Sequence, residues 1–403
     1  MAERSPRVTV YTPQGPAGRV EREGDFLFQF DPRASVSSAP SLAMPFRAAP
    51  YRHPSLHPVF QMNLPEGFVL EQVRNRLAKT TGMDPLLLLA VLGSQSPIGR
   101  LRFTLDGAAP DSTPTHGESL AELLAGRGSR ELFARLVDTY VLRSGLSGVQ
   151  PKVLVPERPT EPMHPEFKAA VATPELIVKS GLGEFPGLAL NEYVCMTIVR
   201  NAGVPVPEFH LSDDGELLVM RRFDRPEDGA VLGFEDMLVL AGREAVRKYE
   251  GSYEQVLKLL RFYCAPQHLP AAREQLFDMV ALSCILGNGD AHMKNFGVLY
   301  HSILGAVRMA PAYDIVCTRL YIRDDTLALD LAGNRSFFAA RQGLLDFGAR
   351  CDLPKARIAA RVVQLADVAL ATLDELAPTV ARLPGLHDVI AQEARAYRAV
   401  FAR

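Results

Sequence analysis

The sequence lacks the features that mark several large classes of protein. Its longest apolar run, residues 85–92, is far shorter than the roughly 18 residues that a membrane span requires. The 44 Lys and Arg residues are balanced by 46 Asp and Glu residues, a net charge of −2, so the chain has no basic excess for binding nucleic acid by counterion release. No apolar stretch follows a basic start at the N-terminus, so we expect neither a signal peptide nor a membrane partner.

Cysteine is also sparse, and the common motifs of metal and serine enzymes are missing. The five cysteines lie far apart without a C-x-x-C pair, which predicts free thiols in a reducing cytoplasm rather than a disulfide framework. His53 and His57 are four residues apart, but Pro54 and Pro58 exclude one continuous helix there. No H-E-x-x-H zinc motif and no G-x-S-x-G nucleophile motif occurs. We therefore expect a globular cytoplasmic protein.

The 403 residues suffice for about two to three domains, and the hydrophobic pattern changes along the chain. Alternating residues predict strands at 8–11, 26–30, 176–179 and 217–220, with a turn at 15–18. Helical spacing predicts helices at 85–93, 118–124, 130–136, 191–201, 253–262 and 271–286. Residues 296–309 interrupt the helical C-terminal part with a β segment. We predict boundaries that give three parts: 1–105, 106–232 and 233–403.

The most informative segment follows the helix predicted at 271–286. Its loop presents Asp290 and Asn295 five residues apart, the spacing of the catalytic Asp and the metal-binding Asn in kinase catalytic loops. Two short strands joined by a turn follow, and a hairpin brings its end back to its start, so Asp314 should lie near Asn295. Carboxylate and amide oxygens suit Mg²⁺. The plain alternative is a polar turn that closes a helix.

A lysine ends the predicted strand at 176–179. A lysine that faces inward from an apolar strand needs an anion, because burying it unpaired costs several kcal/mol. The phosphates of ATP would serve Lys179, with Glu192 on the next helix as a second partner. The loop at 147–152 could cradle phosphates with its backbone N–H groups, although it matches neither common phosphate-loop motif. The alternative for Lys179 is an ordinary surface position at a strand end.

Taken together, these segments resemble the HipA family of bacterial toxin serine/threonine kinases. The segments that carry the resemblance occur in the family's order, at 147–152, 177–179, 191–193, 222–225, 290–295 and 310–314. Residues 60–65 and 86–93 are similar to the family's N-terminal subdomain, so the resemblance extends from about residue 8 to at least 333. It implies an α+β, two-lobed fold like that of protein and lipid kinases, with a β-rich N-terminal subdomain, a kinase N-lobe and a mostly helical C-terminal lobe.

The resemblance also implies roles for individual residues. Asp290 would be the catalytic base, with Lys294 stabilising charge on the transferred group, and Asn295 and Asp314 would bind Mg²⁺. The residues implied to contact ATP are Gly148, Val149, Gln150, Lys152, Lys179, Arg221, Phe223 and His292. Of these, Arg221 and Phe223 would form the adenine hinge through their backbone. Ser147 is the first candidate for inactivating autophosphorylation and Ser144 the second, because position 145, where the family often has serine, is glycine.

Partners follow from the same resemblance. The family implies a helix-turn-helix antitoxin of HipB type, contact with DNA only through that antitoxin, and an aminoacyl-tRNA synthetase or another translation protein as substrate. Two alternatives stay open at this point. A small-molecule phosphotransferase would share the loop Asp, the Asn and the later Asp, and a catalytically silent relative would only partner a repressor.

Overall fold

The computed structural model describes residues 6–77, 84–94, 97–106, 108, 117–126, 128–141, 150–158, 175–181, 185–226 and 228–402. The chain divides into two compact units, each built from several segments. Unit 1 comprises Met1–Ser180, Val219–Ala245 and Leu299–Ala306. Unit 2 comprises Gly181–Leu218, Val246–Val298 and Val307–Arg403. The boundaries predicted at residues 105 and 232 remain predictions.

A five-stranded antiparallel sheet begins unit 1. Its strands are β1 (Val8–Thr12), β2 (Gly15–Glu23), β3 (Asp25–Phe30), β4 (Tyr51–His53) and β5 (Arg102–Leu105). Their order is β4-β3-β2-β1-β5. Residues 8–10 of β1 and 26–28 of β3 are buried in succession, so both faces of the sheet are covered at these positions. The turn predicted at 15–18 is wrong, because the chain reverses at residues 13–14 and Gly15 already pairs with Thr12.

Short helices accompany this sheet and the chain that follows it. They are α1 (Pro58–Gln61), α2 (Gly67–Leu77), α3 (Pro85–Leu92), α4 (Leu120–Leu124) and α5 (Ser129–Tyr140). Helix α3 begins where the sequence predicts, because the Asp84 side chain accepts hydrogen bonds from the N–H groups of Leu86 and Leu87, and Pro85 occupies the first helical position. Its buried leucines contact β1 and β5.

Two further sheets contain the remaining strands. The strands are β6 (Lys152–Pro156), β7 (Glu175–Ser180), β8 (Phe209–Leu211), β9 (Leu217–Arg221), β10 (Gly233–Asp236), β11 (Gly297–Tyr300) and β12 (Arg308–Met309). One sheet has the order β6-β7-β9-β8 and the other β10-β11-β12. Strand β10 lies at the start of the part of the chain that the sequence pattern predicts to be mostly helical. The strand is four residues long and wholly buried, so it shows no alternation from which it could be predicted.

Unit 2 is mainly helical. Helix α7 (Met237–Leu240) belongs to unit 1, and unit 2 contains α6 (Leu188–Asn201), α8 (Tyr253–Tyr263), α9 (Leu269–Leu286), α10 (Ala340–Arg350), α11 (Lys355–Glu375), α12 (Ala377–Val380) and α13 (Leu386–Phe401). Helix α9 contacts α6, α8, α10, α11 and α13. Because it is surrounded in this way, its second half is almost entirely buried, and the loop that follows it has a fixed starting point.

Three predictions about the chain as a whole can be compared with this structure. The predicted α+β class is confirmed, with strands concentrated in the first part and helices in the last. All five cysteines are buried and free, as predicted. Within the described residues, no helix has both the length and the apolar character to cross a membrane.

Candidate active site

The loop between α9 and β11 begins with a residue in the left-handed backbone conformation. This residue is Gly287, which directly follows the last residue of α9 and has φ +66°, a conformation that glycine adopts without strain. Gly289 has a different reason to be glycine, because a Cβ there would lie 2.1 Å from an oxygen of Asp325. The loop is thus packed closely against the segment that contains Thr318 and Asp325, and the Thr318 hydroxyl accepts a hydrogen bond from the Gly289 N–H at 2.7 Å.

Asp290 lies in this loop with its carboxylate held from one side. Its N–H donates to the side chain of Asn288 at 3.0 Å. Its Oδ1 accepts a hydrogen bond from the Tyr249 hydroxyl at 2.7 Å, and the Nε2 of His292 is 3.9 Å from the same oxygen. The Asp290 side chain remains 46% exposed. It is therefore fixed in orientation and still accessible to a substrate.

The groups around Asp290 have opposite effects on its pKa. Burial has the largest effect and raises the pKa of Asp290, while the hydrogen bond from Tyr249 and the charge of Lys248 lower it in part. The neighbouring carboxylates Asp314 and Asp325 raise this pKa further. Asp290 is thus a base whose proton affinity is increased by its surroundings, which is typical of groups at functional sites.

His292 is nearly buried and remains neutral. Burial, with the charges of Lys248 and Lys294, lowers the pKa of His292 to about 3. Its ring lies edge-on to the Tyr249 ring at a centroid distance of 5.1 Å. Because the imidazole is uncharged near pH 7, it adds no positive charge beside Asp290.

Asn295 and Asp314 lie at the two ends of the segment that contains β11 and β12. The Oδ1 of Asn295 accepts a hydrogen bond from the His292 N–H at 3.0 Å, which fixes the amide within the loop. The Ala310 N–H donates to the Gly297 carbonyl at 2.9 Å, and the Tyr313 hydroxyl donates to the Lys294 carbonyl at 2.7 Å. The structure therefore brings the residue before Asp314 against the residue before Asn295.

Asp314 has an unusual backbone conformation. Its φ is +58°, which is uncommon for a residue other than glycine and is best tolerated by Asn and Asp. Strained conformations of this kind cluster at ligand-binding positions. Within the described residues, no group of three or more His, Cys, Asp or Glu side chains could hold a metal by itself. Asn295 and Asp314 nevertheless offer the oxygen ligands that Mg²⁺ takes together with phosphate oxygens and water.

Unit 1 contains the predicted lysine and a second one opposite it. Strands β6 and β7 are antiparallel, and Lys152 pairs directly with Lys179 in their register. The two side chains are only 6% and 3% exposed. The Nε2 of Gln150, just before β6, is buried and has no hydrogen-bond partner among the described residues. Two ammonium groups and an amide N–H group thus lie at one end of this strand pair, and all three are donors that an anion can accept from.

The other residues predicted to contact the nucleotide differ in what the structure shows of them. Ser144, Ser147, Gly148 and Val149 lie outside the described residues. Arg221, at the end of β9, forms an ion pair with Glu157. The Phe223 ring packs edge-on against Phe234 at a centroid distance of 5.4 Å. Both side chains thus have protein contacts, and a nucleotide role for this segment through its backbone stays a prediction.

Two sets of side-chain contacts, one in each unit, were not predicted from the sequence. In unit 1, buried Arg222 bonds to Asp224 and Glu175 and to the Pro97 carbonyl, and the Gly99 N–H donates to Asp224. This cluster joins the segment at 97–99 to the end of β9. In unit 2, Tyr249 contacts Asp290 across 41 residues of sequence, a separation at which no local pattern could reveal the contact.

Comparisons with known proteins show which family this chain is similar to. The family model described as "HipA N-terminal domain" matches residues 8–104, and the one described as "HipA-like C-terminal domain" matches residues 144–373. The relatives "Putative kinase Y4dM" and "Putative kinase Y4mE" of Sinorhizobium fredii are 27% and 30% identical to this chain. The first match covers 73% of this chain and 71% of the relative, and the second covers 70% and 69%.

A solved structure shows the same fold over almost the whole chain. It is that of the Shewanella oneidensis toxin–antitoxin complex of HipA, HipB and operator DNA, with a TM-score of 0.69 and 17% identity. The match covers 98% of this chain and 97% of that one, which confirms the predicted kinase-like HipA fold. The C-terminal family model alone spans more than half of the 403 residues. The chain therefore belongs to the HipA family of toxin kinases.

Proposed function

We propose that this chain is an ATP-dependent serine/threonine protein kinase that acts as the toxin of a toxin–antitoxin pair. The observation that carries the proposal is the grouping of Asp290, Asn295 and Asp314 in unit 2, joined by the bond from Tyr313 to Lys294. Phosphoryl transfer needs a carboxylate that receives the substrate hydroxyl and oxygen ligands that hold a metal ion. These three residues supply both.

In the proposed reaction, Asp290 orients the hydroxyl of a serine or threonine side chain and accepts its proton. The hydroxyl oxygen forms a bond to the γ-phosphorus of ATP as the bond from that phosphorus to ADP breaks. Tyr249 holds the Asp290 carboxylate during this step through its hydroxyl. Lys294, in the same loop, is proposed to stabilise charge on the transferred group.

Two groups of residues described above are suited to binding a metal ion and the phosphates of a nucleotide. Mg²⁺ would be bound by Asn295 and Asp314 and would neutralise charge on the phosphates. Lys179 and Lys152, which lie opposite each other on β7 and β6, would bind phosphate oxygens. Gln150 has a buried amide donor suited to the same anion.

The proposed partners extend what is printed for the structural neighbour. That neighbour is a complex of HipA with HipB and operator DNA. We infer a helix-turn-helix antitoxin of HipB type for this chain, with DNA bound only through it. As substrate we propose an aminoacyl-tRNA synthetase or another translation protein, and as sites of autophosphorylation Ser147 first and Ser144 second.

Mass spectrometry after incubation with Mg²⁺ and ATP tests the activity. We expect one phosphate on Ser147 or Ser144 in the wild-type protein and none in Asp290→Asn, because the base is removed. Asp346→Asn is a matched control, since Asp346 is an exposed aspartate on α10 of the same unit, and it should behave as the wild-type protein does. Equal phosphorylation of Asp290→Asn would contradict the role of Asp290.

The two alternatives predict different results in the same assay. A small-molecule phosphotransferase would transfer phosphate to a metabolite and to no protein. A silent partner of a repressor would show no transfer and no binding of Mg²⁺-ATP in a calorimetric titration, while still co-purifying with its antitoxin. Binding of Mg²⁺-ATP without autophosphorylation would instead indicate an active site that requires its protein substrate.

A further inference from the structure

Residues 248–253 contact the catalytic loop at three successive points. The Met293 N–H donates to the Lys248 carbonyl at 3.2 Å. The Tyr249 hydroxyl donates to Oδ1 of Asp290 at 2.7 Å, and the Tyr253 hydroxyl donates to the Ala291 carbonyl at 3.2 Å. Two tyrosines four residues apart thus bind adjacent residues of the loop. Only one of them binds a side chain that can take part in chemistry.

Tyr249 keeps this position although its side chain is 44% exposed. Its carbonyl accepts a hydrogen bond from Arg335 at 2.9 Å, and Arg335 is itself paired with Asp330. The Asp330 N–H donates to the Gly251 carbonyl, and the Tyr253 N–H donates to the Asp330 carbonyl. The backbone on which Tyr249 stands is therefore anchored on both sides, and an exposed ring is held with its hydroxyl on the carboxylate.

The hydrogen bond from the Tyr249 hydroxyl falls on Oδ1 of Asp290, and Nε2 of His292 lies 3.9 Å from the same oxygen. Given the proposed function, we propose that Tyr249 is a positioning residue that holds Oδ1 of Asp290 and directs Oδ2 to the substrate hydroxyl. The proton of that hydroxyl then passes to Oδ2, and Tyr249 keeps its own proton.

The neighbours of Asp290 explain why a hydrogen-bond donor is needed at this point. The carboxylates of Asp314 and Asp325 both disfavour a negative charge on Asp290. The groups that favour a negative charge on Asp290 are the Tyr249 hydroxyl and the cation of Lys248. Removing the Tyr249 hydroxyl should therefore both loosen the carboxylate and increase its affinity for a proton.

The test compares Tyr249→Phe with Tyr253→Phe, since each loses one hydroxyl that donates to the catalytic loop. The readout is the autophosphorylation rate at saturating Mg²⁺-ATP, together with the ATP concentration that gives half of that rate. We expect Tyr249→Phe to lower the rate about tenfold, the effect of losing one hydrogen bond to a charged group. Its half-saturating ATP concentration should not change. The acidic limb of its pH–rate profile should move to higher pH.

Tyr253→Phe should show the opposite pattern, because the Tyr253 hydroxyl bonds to the backbone at Ala291 and Leu329 and not to the Asp290 carboxylate. We expect a lower melting temperature and a rate within about twofold of the wild-type rate.

A wild-type rate and pH profile in folded Tyr249→Phe would overturn the positioning role and leave the kinase proposal intact. Equal losses in both variants, without a shift of the pH profile, would show that Tyr249 only braces the loop. A wild-type protein without any transfer activity would overturn the proposed function itself and this role with it.

Discussion

Unit 1 buries charge in two groups of different kind. Around Arg222, two arginines are matched by Asp224 and Glu175, with each carboxylate in contact with a guanidinium group. On β6 and β7, by contrast, the register places two buried lysines opposite each other. The first group pairs carboxylates with guanidinium groups within one cluster, whereas the second places two lysines in register next to each other on a sheet.

This difference separates a structural role from a binding role. A buried ion pair with complete hydrogen bonding holds segments together and loses much stability when one partner is removed. Two buried lysines opposite each other, beside the buried amide of Gln150, offer several donors at one place and are suited to an anionic ligand. The arginine cluster should therefore respond to mutation through stability, and the lysine pair through nucleotide binding and activity.

The largest effect is expected for Asp224→Asn. The substitution leaves Arg222 and Arg225 buried without their shared carboxylate, which should lower the free energy of unfolding by about 3–5 kcal/mol. Urea unfolding measures this loss. The control is Asp25→Asn, since Asp25 is an exposed aspartate at the start of β3. A loss below that of the control would remove the distinction between the two groups.

Lys179→Met should show the reverse behaviour. Removing a preorganised cation from the phosphates should slow phosphoryl transfer about 100-fold. Methionine keeps most of the length and the apolar character of the lysine stem, so we expect the free energy of unfolding to change by less than about 1 kcal/mol. Autophosphorylation kinetics and urea unfolding on the same preparation provide both values. A variant that is fully active but unstable would place Lys179 in a structural role.

Acid should weaken the arginine cluster specifically. Burial alone would raise the pKa of Asp224, but Arg222, Arg225 and the Gly99 N–H lower it to about 2. Because the folded pKa lies below the usual value of 3.8, the stabilisation is complete above pH 4 and is lost as the pH falls toward 2. Asp224 should therefore contribute about 2 kcal/mol to this acid loss. Unfolding curves between pH 5 and 2 should show a shallower fall for Asp224→Asn than for wild type.

The smallest effect is expected for Lys152→Met. Its lysine lies opposite Lys179, and we expect it to contribute less to transfer, so the rate should fall about tenfold. The affinity for ADP, measured by calorimetry, should fall with it. An unchanged affinity would indicate that Lys179 alone binds the anion.

Much of the fold was predictable because its signals are local. Helices α8 and α9 were predicted to within two residues, since their apolar residues repeat at helical spacing. Strand β7 was predicted because its apolar residues form a short β-branched run before Lys179. The pairing of Lys179 with Lys152 was not predictable, because residues 157–174 separate the strands and a connection of that length does not fix their register.

The candidate site divides in the same way. Asp290 and Asn295 were predicted as site residues because their spacing is a property of one loop. Asp314 was predicted to lie near them because a hairpin connects it to that loop. Tyr249 precedes α8, and its contact with Asp290 depends on the anchoring of its backbone by Arg335. Contacts of that kind arise from tertiary packing, for which residues 248–253 carry no sequence pattern.

The left-handed backbone at Asp314 restricts which residues evolution can place there. Glycine would fit the backbone best, asparagine and aspartate are tolerated, and branched or bulky residues are excluded by steric clash. Under the proposed role of Asp314 as a metal ligand, a lineage that kept phosphoryl transfer needs an oxygen ligand at this position, whereas one that lost it is free to drift to glycine. Under the same proposal, the residue at position 314 in relatives of this chain would indicate whether selection for catalysis has persisted.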